Sequence, residues 1–364
     1  MLIKPVSGHC NMGCVYCFYN DVAKNREVYD HGTMSLQLLE TIVEKAFGEG
    51  AEFLSFGFQG GEPTLIGIDF YKTFVGLVKR YNKNKAKTSF AIQTNGMAIN
   101  DEWAEFFKEN SFLIGLSIDG PKDIHDKLRH DTKGGPTHDM CIKAAKLLTR
   151  HKVDFNILTV VTRQLASRPD AAYNFYKKNN FRYIQFIPCI DDFEEGHSPF
   201  FSLDVQNYGF FLCRVFDLWY KDFIGGDYYS IRAFDNYIQM LAGYPPENCA
   251  MNGHCNAYAL IEADGSVYPC DFYAIDKYCL GNIGEDSIKQ LLRGKIAKDF
   301  MAPSRISSEQ CIICEYYRIC RGGCRRDREP LTEEGLRLNY YCGAYKMFFP
   351  HSLPRMAAIA RSKI

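Results

Sequence analysis

The chain has 364 residues, and its 43 basic and 43 acidic side chains give a formal net charge of zero. A neutral chain offers no electrostatic basis for nucleic acid or an anionic membrane as its main partner. The N-terminal segment MLIKPVSGHC lacks the apolar core of a signal peptide, and no uncharged apolar run is long enough to span a bilayer. These features predict a cytoplasmic protein with no nucleic-acid partner and no membrane partner.

Strand-like and helix-like segments alternate over the first two-thirds of the chain. The strand-like segments are LIKP (2–5), 53–59, 90–95, 112–119, 155–162 and 183–189. Between them, apolar residues recur at helical spacing over 35–49, 69–82, 101–110, 137–151 and 169–180. This alternation is typical of βαβ units around a parallel sheet. We therefore expect an α/β fold with a partial, TIM-like (β/α)6 barrel and an active site at the carboxyl ends of its strands.

The character of the chain changes after residue 200. Helical patterns cover 204–224 and 231–242, and YPPENC (244–249) then ends any helix. The segment 259–272 is predicted to form a hairpin that turns at Asp264-Gly265. We predict two domains, a barrel over residues 1–235 and a small irregular, cysteine-rich domain over 236–364 that ends in a helix.

Cysteine usage is the strongest anomaly in the composition. The chain has 15 cysteines, an odd number, and most of them lie in tight clusters. Disulfides are rare in the cytosol, so metal or iron–sulfur ligation is the better interpretation.

The first cluster, CNMGCVYC, holds Cys10, Cys14 and Cys17. Three thiolates would leave one iron of a cubane open for a small chelating molecule, whereas the alternative is a zinc knuckle completed by a distant cysteine or by His9.

A second group of cysteines lies near the C-terminus. Its core is CIICEYYRICRGGC (311–324), which is preceded by Cys249, Cys255 and Cys270 and followed by Cys342. These eight cysteines suffice for two closed cubane clusters, and the alternative is a pair of structural zinc sites. The other four, Cys141, Cys189, Cys213 and Cys279, are expected to be packed thiols.

Polar residues at predicted strand ends are candidates for ligand binding. In FQGGEPTL (58–65), two glycines allow close approach to a ligand and Glu62 can accept a charged amino group, although such a segment can also be a simple turn. Ser117 and Asp119 could bind a ligand or cap a strand end. Arg129 could pair with a carboxylate or be a solvated surface charge. Asp271, beside Cys270, could be a turn residue or a general base.

Two of these segments resemble known motifs. CNMGCVYCF resembles the signature of radical S-adenosylmethionine enzymes, and GGEP resembles the motif that binds the amino group of that cofactor. The last cysteines resemble the SPASM extension of peptide-modifying radical enzymes. Taken together, nine segments are similar to anaerobic sulfatase-maturating enzymes over nearly the whole chain: LIKP, CNMGCVYCFY, FQGGEPTL, QTNG, GLSIDGP, FDLWYKDF, DGSVYPCDFY, GGCRR and LNYYC.

The resemblance implies the cofactors and the site residues. The cofactors would be S-adenosylmethionine and three 4Fe–4S clusters, held by Cys10, Cys14 and Cys17, by Cys249, Cys255, Cys270 and Cys324, and by Cys311, Cys314, Cys320 and Cys342. S-adenosylmethionine would be bound by Tyr16, Gln59, Gly60, Gly61, Glu62, Asn95, Ser117, Asp119 and Arg129. Asp271 would be the catalytic base, and Tyr19 would lie near the substrate.

The resemblance also implies the reaction. A 5′-deoxyadenosyl radical would abstract a Cβ hydrogen from a Cys or Ser of an unfolded sulfatase, and the product would be Cα-formylglycine. A flavodoxin or ferredoxin would donate the electrons. One alternative is a SPASM maturase that crosslinks or epimerises a ribosomally made peptide, and another is an iron–sulfur electron carrier or zinc-binding adaptor. Residue patterns leave the choice between Cys and Ser substrates open.

Overall fold

A computed structural model describes residues 1–193, 198–332 and 335–362. Its strands are β1 Leu2–Ile3, β2 Phe53–Phe58, β3 Lys87–Thr94, β4 Phe112–Ser117, β5 Phe155–Val161, β6 Tyr183–Pro188, β7 Ser230–Ile231, β8 Leu260–Ile261, β9 Ser266–Tyr268, β10 Gly281–Asn282, β11 Leu331–Thr332 and β12 Gly335–Leu336. Its α-helices are α1 Phe18–Lys24, α2 Leu36–Gly48, α3 Ile68–Tyr81, α4 Asp101–Glu109, α5 Lys122–Leu128, α6 His138–Arg150, α7 Arg163–Ala166, α8 Pro169–Lys178, α9 Val205–Ile224, α10 Arg232–Leu241, α11 Ile288–Arg293, α12 Lys295–Met301, α13 Glu309–Ile312, α14 Tyr317–Cys320 and α15 Cys342–Ser362.

The chain forms two compact units that do not follow its linear order. The first unit contains Met1–Ser117, Arg129–Phe155 and Ala257–Phe300. The second unit contains Ile118–Leu128, Asn156–Asn256 and Met301–Ile364. Residues 257–300, which the sequence assigned to the C-terminal domain, thus group with the N-terminal segment. The domain boundary at 235–236 stays a prediction.

The first unit is built on a sheet with the strand order β10-β9-β8-β1-β2-β3-β4. Strands β1 to β4 are parallel, with helices between them that begin at side-chain caps such as Ser35 and Asn100. Aromatic rings fill the space between the sheet and helix α3, where the Phe58 and Phe74 ring centroids are 4.9 Å apart. The predicted βαβ organisation is confirmed, although the sequence did not predict helix α1.

The predicted hairpin is present, and its position explains the grouping of residues 257–300. Strands β8 and β9 are antiparallel, and Gly265 adopts a φ of 90° at the predicted turn. Strand β8 also pairs in parallel with β1, since Lys4 N donates to the Ile261 carbonyl at 2.9 Å. This pairing satisfies the backbone groups of β1, which would otherwise be the edge of the parallel sheet.

The second unit contains the parallel strands β5, β6 and β7 and the helices that follow them. Helix α15, the predicted C-terminal helix, packs along α9, where the ring centroids of Phe216 and Phe348 are 5.9 Å apart. In the part of the chain that the structure describes, no helix combines the length and the apolar character needed to cross a membrane. The fold class predicted from the sequence, an α/β fold with a parallel sheet, is confirmed.

Candidate active site

The glycines of the GGEP segment let two loops of the first unit pack backbone to backbone. Gly61 N donates to the Ser7 carbonyl at 2.9 Å, and Glu62 N donates to the His9 carbonyl at 2.8 Å. A Cβ atom on Gly61 would lie 2.0 Å from the His9 carbonyl oxygen. The sequence assigned the close approach at these glycines to a ligand, but the approach seen here is to the chain's own backbone. It anchors the segment that precedes Cys10.

Glu62 is a buried hydrogen-bond acceptor that joins neighbouring strand ends. Its side chain is buried, with a residue exposure of 1%. Oε1 accepts from the Thr94 hydroxyl at 2.8 Å and from the Thr64 hydroxyl at 2.5 Å, and Oε2 accepts from Asn95 N at 2.7 Å. Burial raises the pKa of this carboxyl, whereas these hydrogen bonds lower it, and burial prevails. A buried carboxylate with fixed donors is well placed to bind a further cationic group.

Cys10, Cys14 and Cys17 lie on the loop between β1 and α1. Helix α1 begins directly after Cys17. Burial raises the pKa of the Cys10 thiol to about 12, with smaller increases from Glu62, Cys14 and Cys17. Asn95 Nδ2 lies 3.9 Å from Cys10 Sγ, so this predicted cofactor residue is next to the cluster cysteines. None of the three forms a disulfide and all are partly buried, which suits ligation of a cluster.

Two further predicted cofactor residues contact each other. Arg129 Nη1 donates to the Tyr16 hydroxyl at 2.9 Å, and the residue exposure of Arg129 is only 8%. The alternative role of Arg129 as a solvated surface charge is therefore wrong. Asp119 belongs to the second unit, where its Oδ1 accepts from Val160 N at 2.9 Å, which is the strand-end contact expected of its alternative role. Ser117 ends strand β4 of the first unit.

Asp271 follows the hairpin and is held by side chains at both carboxylate oxygens. Gln59, directly after β2, donates from Nε2 to Oδ2 at 2.8 Å. Tyr258 donates from its hydroxyl to Oδ1 at 2.5 Å. Cys270 Sγ lies 3.6 Å from the same Oδ1. The structure therefore brings together Gln59, Asp271 and Cys270, which the sequence assigned to cofactor binding, catalysis and cluster ligation.

Tyr19 lies on helix α1, near the proposed base. Burial raises the pKa of its hydroxyl well above the usual range, and the negative charges of Asp271 and Cys17 raise it further. The Lys4 ammonium lies 4.9 Å from the centroid of the Tyr19 ring. The first unit thus places the predicted substrate residue close to Asp271, the predicted base, and to Cys17, a predicted cluster ligand.

Sequence reasoning missed a buried ionic group beside this site. The carboxylate of Glu262 on the hairpin binds the Lys4 ammonium, and it accepts from Arg26 Nη1 at 2.6 Å. All three side chains are almost completely buried. The LIKP segment was noted as a motif, but nothing in the spacing linked Lys4 to residues more than two hundred positions away. Tyr258 was missed although it lies only 13 positions from Asp271, because the sequence does not show that folding of the hairpin brings its hydroxyl to that carboxylate.

The remaining predicted ligands lie in the second unit, except Cys270, which lies in the first. Cys320 has its pKa raised to about 11 by burial and by nearby Cys342, Cys311 and Cys314. Burial likewise raises the pKa of Cys324, and Cys249 and Cys255 raise it further. These cysteines of the second unit thus have neighbours from their own predicted ligand set, and the assignment of the two sets stays a prediction.

Zinc sites are the alternative to iron–sulfur clusters at these cysteines. Across residues 1–193, 198–332 and 335–362, no three His, Cys, Asp or Glu side chains converge closely enough to hold one metal ion. In a cubane each thiolate binds its own iron, so the ligands stand farther apart than around zinc. The donors present are cysteine thiols that form no disulfides, which are the ligands that iron–sulfur clusters take.

Comparisons with known proteins agree with this geometry. The chain matches the radical SAM superfamily over residues 5–172 and an iron–sulfur cluster-binding domain, SPASM, over residues 249–324. It is 46% identical to a cysteine-type anaerobic sulfatase-maturating enzyme of Clostridium novyi, over 100% of this chain and 97% of the relative. The chain belongs to the anaerobic sulfatase-maturating enzymes.

Further relatives in this family differ in type. A serine-type anaerobic sulfatase-maturating enzyme of Bacteroides thetaiotaomicron is 32% identical over 98% of this chain and 90% of that enzyme. A solved structure of native anSMEcpe with bound AdoMet and a Cp18Cys peptide matches with a TM-score of 0.95 and 41% identity, and it covers 100% of this chain and 99% of that one. Family membership implies S-adenosylmethionine and three 4Fe–4S clusters as cofactors.

Proposed function

We propose that this chain oxidises a cysteine side chain in an extended segment of a sulfatase to Cα-formylglycine. The contact that carries this proposal is the one between Asp271 and Gln59, which holds a carboxylate beside Cys270 in the same unit as the Cys10 loop. The cysteines would hold the clusters. When bound, the clusters and S-adenosylmethionine would supply the abstraction of a hydrogen atom from the substrate Cβ and the uptake of the remaining electron.

The chain's own residues bind the cofactor and move one proton. Glu62, fixed by four donors, binds the cofactor's amino group, and Tyr16 and Arg129 form a second contact. We assign the same role to Gly60, Gly61, Asn95, Ser117 and Asp119. Asp271 accepts the proton of the substrate thiol, and Tyr19 lies against the substrate. Because Gln59 and Tyr258 hold both carboxylate oxygens, the base needs little reorganisation during the reaction.

We assign the cluster ligands as three sets. Cys10, Cys14 and Cys17 hold the cluster that leaves one iron open. The closed clusters are held by two sets of four, one being Cys249, Cys255, Cys270 and Cys324 and the other Cys311, Cys314, Cys320 and Cys342. The groupings around Cys320 and Cys324 support these assignments.

We favour a cysteine over a serine as the target residue. The more similar relative, at 46% identity, is a cysteine-type enzyme, whereas the serine-type relative is only 32% identical. A competition experiment tests this choice. Equal amounts of two peptides that differ only in Cys or Ser at the target position are incubated with the enzyme. We expect the Cys peptide to be converted faster, and faster conversion of the Ser peptide would contradict the assignment.

We also propose a one-electron donor of the flavodoxin or ferredoxin type and a cytoplasmic location. A cytoplasmic enzyme would meet the sulfatase chain before it folds, when the target residue is still accessible. The zero net charge supports neither nucleic acid nor an anionic membrane as a further partner.

The test is anaerobic incubation of a sulfatase-motif peptide with S-adenosylmethionine, reductant and either the wild-type enzyme or Asp271→Asn. Asparagine keeps the shape of the side chain but cannot accept a proton. Iron content and 5′-deoxyadenosine formation should persist, because Cys270 is unchanged, while formylglycine falls roughly 100-fold or more. Chromatography of 5′-deoxyadenosine and mass spectrometry of the peptide are read on one reaction. Near-normal aldehyde formation by Asp271→Asn would exclude Asp271 as the base and point to Tyr19 or a bound water.

A further inference from the structure

Tyr258 holds both the backbone and the side chain of Asp271. Its hydroxyl donates to Asp271 Oδ1 at 2.5 Å and accepts from Asp271 N at 3.0 Å. The same oxygen lies 3.8 Å from Cys270 Sγ. One phenol therefore contacts the proposed base at two points and lies beside the neighbouring thiol.

This arrangement restricts how the Asp271 side chain can rotate. A carboxylate held only by Gln59 could turn about its side-chain bonds while keeping that one contact. With Tyr258 on the other oxygen and on the backbone N–H, rotation would break at least one hydrogen bond to a charged group. Such bonds are stronger than hydrogen bonds between neutral groups. Tyr258 lies two residues before hairpin strand β8 in the chain. Its backbone N donates to the Pro269 carbonyl at 3.1 Å, on the opposite side of the hairpin. The two contacts between Tyr258 and Asp271 therefore lie at the open end of the hairpin.

We infer that Tyr258 is a positioning residue for the oxidation step. Its hydroxyl orients the Asp271 carboxylate toward the proton to be removed and keeps that carboxylate beside Cys270. This inference rests on the proposed function, because it needs Asp271 to act on the substrate. It assigns to Tyr258 no proton transfer and no contact with the substrate.

The experiment compares Tyr258→Phe with Tyr268→Phe in the reconstituted full-length enzyme. Tyr268 is a buried tyrosine of the same hairpin, so the control also removes one buried hydroxyl. For Tyr258→Phe we expect iron content and 5′-deoxyadenosine formation near those of the wild type, and formylglycine lower by roughly 10- to 100-fold. The amount of 5′-deoxyadenosine per formylglycine should rise accordingly. Tyr268→Phe should keep the wild-type ratio.

A double-mutant cycle separates positioning from a general structural role. If Tyr258 acts only through Asp271, adding Tyr258→Phe to Asp271→Asn should lower formylglycine no further. Asp271→Glu provides an independent variant, since it keeps a carboxylate but displaces it from both partners. It should also lose product while cofactor cleavage continues.

Each contrary result has a distinct meaning. Wild-type product from Tyr258→Phe or from Asp271→Glu, or an additive loss in the double mutant, would overturn the positioning role. Loss of iron in Tyr258→Phe would also count against it and would indicate that the hydroxyl supports the fold. If Asp271→Asn itself makes normal product, the proposed base is wrong, and that failure is visible without any Tyr258 variant.

Discussion

Gln59 and Asp271 are 212 positions apart in the chain, yet Gln59 Nε2 and Asp271 Oδ2 share a 2.8 Å hydrogen bond. The contact forms because β1 pairs with β2 on one side and with hairpin strand β8 on the other. Gln59 follows β2, and Asp271 follows the hairpin. The same pairing therefore brings a residue of the GGEP segment to the residue that follows a proposed cluster ligand.

Replacing Gln59 should uncouple cofactor cleavage from product formation. Gln59→Leu keeps much of the side-chain volume but removes one donor from the Asp271 carboxylate. We expect formylglycine to fall roughly 10-fold, the scale of one hydrogen bond to a charged group, while iron content is unchanged. Peptide mass spectrometry measures the loss. Gln37→Leu, at an exposed position of helix α2, is the control and should behave as the wild type. Full activity of Gln59→Leu would show that Tyr258 alone suffices to hold the base.

Replacing the three cysteines of the first cluster should lower the iron content of the protein by about one-third. Three cubanes of four irons give about twelve irons per chain after anaerobic reconstitution. Changing Cys10, Cys14 and Cys17 together to Ala should leave about eight irons and abolish 5′-deoxyadenosine formation. Iron analysis and chromatography check both numbers. Stoichiometric zinc in place of iron in the native protein would contradict the cluster assignment.

Glu62 should prove important for both folding and cofactor binding, and two substitutions separate these effects. Glu62→Ala leaves the Asn95 N–H and the threonine hydroxyls without their buried acceptor, at a cost of about 1–3 kcal/mol for each group. Glu62→Gln keeps one acceptor oxygen but loses the negative charge. We expect Glu62→Gln to weaken S-adenosylmethionine binding roughly 10-fold or more while it lowers thermal stability less than Ala does. Equilibrium dialysis and thermal unfolding measure the two effects.

The exposed Glu52 provides a control for these measurements, and Glu52→Gln should change neither quantity. If Glu62→Gln binds the cofactor with wild-type affinity, the GGEP segment has only its structural role at the strand ends.

Glu262 should stabilise the fold with an effect that does not depend on pH near neutrality. Burial acts to raise the pKa of this carboxyl, but Lys4 and Arg26 more than offset it and lower the pKa to about 2. Since the folded-state pKa is depressed, its contribution is complete above the ordinary carboxyl value of about 4.3. This contribution to stability is lost only as the pH falls from about 4.3 through the folded-state pKa of about 2.

Glu262→Gln should therefore lower stability by about 3–5 kcal/mol, because it leaves two buried cations without their counter-charge. The shift of the urea midpoint from the wild type measures this loss. Glu102→Gln breaks the exposed pair of Glu102 and Lys72, whose charged atoms are 2.8 Å apart, and should cost less than about 1 kcal/mol. A midpoint shift for Glu262→Gln that is no larger than this control would refute the role of the buried group.

Local features of the sequence were sufficient to predict most elements of the fold. Apolar periodicity placed helix α3 and strand β2 within one residue of their observed bounds, because a single amphipathic element is encoded by neighbouring residues. The turn at Asp264-Gly265 was predictable because glycine tolerates the positive φ found there. Cysteine spacing indicated clusters because the ligands of one loop must be close in sequence.

Tertiary structure alone decided which of these elements meet. Nothing in the residues of the hairpin specifies β1 as its neighbour, since strands of similar period can pair with many partners. That pairing places Gln59 on one oxygen of Asp271 and buries Glu262 against Lys4, whereas the hairpin itself places Tyr258 on the other oxygen. The contacts of Gln59 and Glu262 join residues 212 and 258 positions apart, and all three contacts depend on desolvation and hydrogen-bond geometry that exist only after folding. The sequence by itself therefore determined the elements and the candidate ligand residues, and the folded hairpin with its pairing to β1 determined how the proposed base is held.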